Sequence, residues 1–333
     1  MSVETERCDD PDEWNALVER SEETTPFHRW EALEVLADHS GTELFPFVGY
    51  KGQEPIGLFP VFSLNRWPLR TAFSPPPDLE VSYLGPAQLN GHGAKQRTAE
   101  KRHSRFVESV VDAVEAEIAP HYSHVRAGTA YEDPRPFIWN GFDPTPRYTY
   151  HVDLTLDDEE LFMSFSGDVR SNVRKADDEF EYAIEEGDGA DVERIVRHVA
   201  ARHAEQDVSY NVTPAFARDL YAALPEGTVR AYVCEVDGEF VGGKLTLEDD
   251  TTLYGWQTVS DLDHAFPATD VLDWTVMQRA KERGLERMDL VGANDERLCG
   301  YKAKFNPEVE THYSLEASSR PTDALKAIYK RVR

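Results

Sequence analysis

Apolar and polar positions alternate through residues 47–62 and again through residues 232–247, each run broken once by a glycine-containing turn. Period two across such a turn predicts a β-hairpin in both places. Further on the period lengthens. Phe106, Val110, Val111, Val114 and Ile118 mark one amphipathic helix, and Val271, Leu272, Trp274, Val276, Met277 and Ala280 mark another. Each helix leads to a short strand that ends at glycine, His124-Val-Arg-Ala-Gly128 and Arg287-Met-Asp-Leu-Val-Gly292. Hairpin, helix and strand therefore recur once at a spacing near half the chain. That points to a duplicated α/β unit, because solenoid repeats are only ~20–50 residues long. Asp143-Pro-Thr-Pro146 breaks the pattern before Tyr148-Thr-Tyr-His-Val-Asp-Leu154 starts a new strand. The expected domains are residues 1–150 and 151–333, a division that suits a chain of 333 residues.

Composition adds a solvent. The formal charge is −27, and the 35 basic residues divide into 25 Arg and only 10 Lys. Acid spread along the chain with scarce lysine is a surface for concentrated salt, where charge repulsion is screened within a few ångströms. Clustered acid, the mark of a cationic partner, is absent. The first residues, MSVETERCDDPDEW, hold no basic start or apolar core of a signal peptide, and no window approaches a ~20-residue membrane span. Cys8, Cys234 and Cys299 are odd in number and far apart, which suits a reducing cytoplasm.

Familiar catalytic signatures are missing. There is no G-x-S-x-G and no phosphate loop, and Gly91-His-Gly-Ala-Lys95 reads as a polar turn. His121 with His124, and His198 with His203, lack a third ligand, so no metal site is expected. Two stretches stand out instead. In Phe165-Ser-Gly-Asp-Val-Arg-Ser-Asn-Val-Arg-Lys-Ala176, Arg170 and Arg174 share a helical face and Lys175 is adjacent. Three cations within six positions of so acidic a chain form either an anion site or a solvated face paired with Asp177, Asp178 and Glu179. The second stretch is Met288-Asp-Leu-Val-Gly-Ala-Asn294 followed by Leu298-Cys-Gly-Tyr-Lys-Ala-Lys-Phe-Asn306. A strand ending in Gly-Ala-Asn opens a loop at a sheet edge, where α/β proteins place ligands. Lys302 follows between Tyr301 and Phe305. It is either a group that stabilises a developing oxyanion or a solvated strand lysine. On a strand, Lys304 shares its face.

These residues resemble the FemAB-like branch of the GNAT superfamily, with its BioF2-like acetyltransferase domains. Thr25-Pro-Phe-His-Arg-Trp30 is similar to that family's leading segment, and the run from Arg135 to Tyr150 to its connector. The R-x-x-x-R-K-A element lies at Arg170 to Ala176. Leu253-Tyr-Gly-Trp256, Pro267, Leu272-Asp-Trp274 and Lys281-Glu-Arg-Gly284 follow in the family's order, then Met288-Asp289 and Tyr301-Lys-Ala-Lys-Phe-Asn306. The resemblance covers about nine-tenths of the chain. It implies a mixed α/β fold of two tandem GNAT-like domains, each a twisted sheet flanked by helices, with the active site in the second.

It also implies transfer of an acyl or aminoacyl group to an amine. Lys302 falls on the family's site lysine, and Asp289, at the strand end, is the candidate proton acceptor. Arg170, Arg174, Lys175, Arg202, Trp256, Tyr301 and Phe305 would line the substrate channel. No permanently bound cofactor is implied. The donor is acyl-CoA or aminoacyl-tRNA, and the acceptor is a small-molecule or envelope-precursor amine, with no DNA partner and no membrane span. In place of the glycine-rich pyrophosphate loop stands His264-Ala-Phe-Pro-Ala-Thr269, where Pro267 has no N–H to offer. The alternative is an inactive GNAT-like module that binds an anionic metabolite.

Overall fold

The computed structural model describes residues 2–89 and 95–318. The turn expected at residues 91–95 lies, apart from Lys95, outside them. The chain divides into two compact units, Met1–Arg147 with Thr311–Arg333, and Tyr148–Glu310.

The first unit holds β1 (Glu4–Arg7), α1 (Pro11–Val18), α2 (Trp30–Ser40), β2 (Glu43–Lys51), β3 (Glu54–Arg66), β4 (Leu69–Ser74), β5 (Ala87–Gln88), α3 (Gln96–Glu117), β6 (Tyr122–Arg126) and α4 (Arg135–Trp139). The chain then passes through β7 (Asp143–Asp153) into the second unit. There it forms α5 (Asp158–Ser164), α6 (Gly167–Glu179), β8 (Tyr182–Gly187), α7 (Gly189–Glu205), α8 (Pro214–Ala223), β9 (Val229–Val236), β10 (Glu239–Glu248), β11 (Thr252–Ser260), α9 (Ala268–Glu282), β12 (Arg287–Asp289) and α10 (Glu296–Lys302). The last strand, β13 (Glu308–Ser318), returns to the first unit.

Both units carry the same strand order. In the first it is β1-β2-β3-β4-β6 and then β13; in the second it is β8-β9-β10-β11-β12 and then β7. The described pairings are antiparallel except for β4 with β6 and β11 with β12. The duplication reaches single residues. Each hairpin turns on two residues and slips register just after the turn, so that Ile56 in β3 and Val241 in β10 have no partner across the hairpin. A glycine follows each bulge. A Cβ on Gly57 would stand 2.6 Å from the Phe106 ring of α3, and one on Gly242 would stand 3.2 Å from Leu272 of α9. The crossover helix thus lies directly on backbone in both units. Phe59, Phe106, Val110 and Val125 sit in the first core, and Val241, Leu272, Val276 and Met288 in the second.

Three expectations change. Residues 311–318 do not stay with the second unit but go with the first, because 314–318 of β13 pair with β6. Hydrophobic period identifies a strand but not its partner. The strand expected from Tyr148 begins at Asp143, because Pro144 and Pro146 lie in an exposed strand start that tolerates a missing N–H. Finally, residues 301–305 are helical rather than extended. The Asp295 side chain caps α10 by accepting from Leu298 N at 3.1 Å, and Asn306 ends the segment in the left-handed region at φ 52°.

Candidate active site

In the second unit, β11 and β12 run parallel from Thr252 and Arg287 only as far as Tyr254 and Asp289. There β12 ends while β11 continues to Ser260, paired only with β10 among the described residues. One edge of β11 beyond Gly255 is therefore left open. Parallel strands that part at their carboxyl ends are where α/β sheets take ligands.

The chain leaving β12 is tied to β7 by Leu290 N on Tyr150 O at 2.9 Å, Ala293 N on Tyr148 O at 2.7 Å and Gly292 N on Thr149 Oγ1 at 3.0 Å. Val291 and Gly292 both adopt left-handed backbone, φ 51° and 83°. For the β-branched valine this conformation is strained. It turns two successive carbonyls toward α10, and Lys302 Nζ donates to both, at 2.6 Å to Val291 O and 2.8 Å to Gly292 O. Among the described residues no carboxylate lies within ion-pair distance of Lys302. Burial, aided by the nearby Lys244 ammonium, lowers the Lys302 ammonium to about 8, against the pull of Asp289, Asp273 and Cys299. Two protons of the ammonium are engaged and a third remains.

Asp289 is 1% exposed. Its carboxylate accepts from Thr149 Oγ1 at 2.5 Å and Val291 N at 2.7 Å, with His151 Nε2 at 3.4 Å. Burial alone would raise its pKa; the His151 contact and these hydrogen bonds outweigh burial and hold it below the usual range. His151 moves the other way, its loss to burial overcome by Asp289 and by Glu310 at 3.1 Å from Nδ1. So engaged, Asp289 has little affinity for a proton. Its geometry is that of an anchor for the strand end and the strained turn.

Behind Lys302 lies a buried polar cluster that sequence reading passed over. Lys244 of β10 donates to Asp273 Oδ1 of α9 at 2.5 Å, and Tyr301 donates from its hydroxyl to Asp273 Oδ2 at 2.8 Å. Asp270, one turn earlier, accepts from Asn172 of α6 at 2.6 Å. The signal was present in the chain: a lysine inside an alternating apolar hairpin, and two acids three apart on the buried stripe of a helix.

The other expected residues separate. Arg170, Arg174 and Lys175 line a cavity of about 430 Å³ with Met163, Asp178 and Glu179. Arg170 Nη1 donates to Met163 O at 3.3 Å and the Arg174 guanidinium lies 5.6 Å from the Phe162 ring centre. Neither has an ion-pair partner among the described residues, and Asp177 is taken by the Tyr182 hydroxyl at 2.6 Å. Lys175 does have a carboxylate partner, Glu179 at 3.9 Å. Arg202 pairs with Glu205 at 3.2 Å on the exposed end of α7 and does not line this cavity. Trp256 is the extra residue of a bulge, between Gly255 and Gln257 in the register, and packs on Phe216 of α8. It therefore faces away from the α9 side that holds Lys244 and Asp273. Phe305 is fully buried against Phe165, a core residue rather than a channel wall. Lys304 sits 5.6 Å from the Tyr301 ring centre and does not share the setting of Lys302.

Among the described residues the corresponding gap of the first unit is filled. Where β4 and β6 end, the buried segment around Leu84 closes the gap, with Leu84 N on Arg126 O at 3.0 Å and Gly85 N on Ser74 Oγ at 3.0 Å. A Cβ on Gly85 would stand 2.9 Å from Ala127 Cα.

Residues 163–303 match the family described as acetyltransferase (GNAT) domain. No curated protein sequence matches the chain. Among solved structures, FemX is 12% identical with a TM-score of 0.72, over 93% of this chain and 96% of that one. The C-terminal domain of a putative lysylphosphatidylglycerol synthetase from Agrobacterium fabrum is 13% identical with a TM-score of 0.60, over 96% and 95%. A tandem GNAT protein from the clavulanic acid biosynthesis pathway is 12% identical with a TM-score of 0.52, over 97% and 100%. At such identities the likeness is one of fold. Residues 163–303 are thus similar to the acetyltransferase (GNAT) domain, and the chain as a whole shares the fold of FemX.

Proposed function

We propose that this protein is an N-acyltransferase that moves an acyl or aminoacyl group from an activated donor to an amine, with its single site in the second unit. One observation carries the reading. At the parting of β11 and β12, the partly buried Lys302 ammonium has two protons fixed on Val291 and Gly292 carbonyls and a third left for an incoming oxygen. A carbonyl lodged at this edge would develop negative charge under attack by the amine, and a pre-positioned donor in a dry site stabilises that charge. Holding both reactants there supplies the rest through orientation. Asp289 keeps the turn in shape.

Acyl-CoA and aminoacyl-tRNA both remain as donors. Pro267 at the start of α9 leaves few N–H groups for a pyrophosphate, which favours a donor not held by that loop. One structural neighbour is named a putative lysylphosphatidylglycerol synthetase, a name that speaks of aminoacyl transfer; the acceptor is sought among small-molecule and envelope-precursor amines. The test is incubation in high salt with acetyl-CoA or with charged tRNA and a panel of such amines, read by mass spectrometry. A product mass raised by one acyl or aminoacyl group, absent with Lys302→Met, supports the proposal. Donor consumption equal to that of buffer across the panel, with a retained anionic metabolite on the purified protein, would favour the binding module built on Arg170 and Arg174.

A further inference from the structure

Lys244 is one of only 10 lysines in the chain and is 5% exposed. Its ammonium meets Asp273 at 2.5 Å and Thr258 Oγ1 at 3.3 Å. Asp273, 3% exposed, spends its second oxygen on Tyr301, the residue before Lys302. Four elements, β10, β11, α9 and α10, thus converge on one buried ion pair. Such a pair is a weak source of stability, since apolar residues of similar volume often serve as well. Its position suggests another use. Gly255, the first residue of β11 past its last pairing with β12, presents no side chain: a Cβ there would stand 3.5 Å from Lys244 Nζ and 3.6 Å from the Asp289 carbonyl oxygen. The glycine leaves the Lys244 ammonium against bare backbone at the mouth of the open edge.

Resting on the acyltransfer reading, we propose that Lys244 is a positioning residue, a second fixed positive charge that governs whether Lys302 carries its proton. Both ammonium groups lie at the end of β12, Lys244 beside Gly255 near the Asp289 carbonyl and Lys302 on the Val291 and Gly292 carbonyls, but among the described residues only Lys244 has a carboxylate in contact. A like charge so placed disfavours the ammonium of Lys302. The other groups acting on Lys302 are Asp273 from α9, Asp289 from β12 and Cys299 from its own helix, each favouring the proton. His151 of β7 stands behind Asp289. Lys302 thus sits near the point of losing its proton under mild conditions, able to stabilise an oxyanion and then release a proton as the intermediate collapses.

The experiment measures the protonation of Lys302 directly. Competitive labelling with trace acetic anhydride, read by mass spectrometry from pH 6 to 11, reports the titration of Lys302 whether or not the protein turns over any substrate. In Lys244→Met the midpoint should rise by about one pH unit, the scale of one like charge removed. Because that variant strands Asp273, Lys244→Met with Asp273→Asn is measured beside it; Lys244 outweighs Asp273, so a smaller rise remains. Tyr301→Phe, which keeps both charges, should leave the midpoint in place. If the enzyme is active, the alkaline limb of its pH–rate profile moves with the label. An unmoved midpoint in both charge-removing variants, each folded by circular dichroism, overturns the proposal. A moved midpoint without detectable acyl transfer would uphold the coupling and count against the acyltransfer reading alone.

Discussion

The ammonium of Lys302 donates to the carbonyl oxygen of Val291 across 2.6 Å, and that carbonyl points at it because Val291 is held in left-handed backbone. The strain of one residue thus fixes the place of another. If the remaining proton of Lys302 meets the oxyanion, Lys302→Met should lower turnover about 10²–10³-fold with little change in KM, as when one oxyanion donor is removed. Lys304→Met, on the ring of Tyr301, should be mild. Equal losses from both would leave only diffuse electrostatics, and full activity in Lys302→Met would remove it from the mechanism.

Arg170 and Arg174 face one cavity and lack carboxylate partners among the described residues. Replacing either with Ala should weaken binding of an anionic probe such as pyrophosphate by ~1.5–3 kcal/mol, the range for a charge-assisted hydrogen bond. Calorimetry with both variants checks this. Unchanged affinity in each would return the helix face to solvent.

The His151–Asp289 pair predicts a pH signature in stability. His151 is raised in the fold, so its contribution is full below its unfolded value near ~6.5 and is lost as pH climbs through the folded one. Asp289 is lowered, so its contribution is present above ~3.9 and is lost as pH falls through its folded value. Between these limits the pair is intact. Melting temperature should fall from pH 6 to 9 more steeply in the native protein than in His151→Gln, and parallel curves would argue that the contact is inert.

Gly57 tests the close approach of helix to sheet. Alanine there would place its methyl 2.6 Å from the Phe106 ring, an overlap that must be relieved by moving α3 or the ring. The expected loss is ~1–3 kcal/mol, the usual penalty of overpacking. Phe106→Leu should rescue part of it in the double variant. Additive losses in denaturant titrations would place the strain elsewhere.

With a charge of −27, the chain should melt higher in molar than in millimolar salt, since screening relieves self-repulsion. A scan of KCl against a neutral osmolyte separates screening from exclusion. A melting temperature flat in salt would speak against adaptation to concentrated salt.

The sequence by itself determined the elements and their repetition. Period two at 47–62 and 232–247 and period 3.6 around Phe106 and Leu272 are local demands of packing, written in neighbouring residues. It also marked Lys302, Arg170 and Arg174 through the order of short motifs. Only the tertiary structure decided which residues meet. The return of β13 to the first unit, the burial of Phe305, the bulge that turns Trp256 toward α8, and the ion pair of Lys244 with Asp273 all depend on partners far along the chain. A side chain's neighbours across a sheet are set by register and by which helix covers each face. Neither is a property of the residues beside it, and so a lysine that reads as one more polar position becomes, once folded, the buried charge beneath the site.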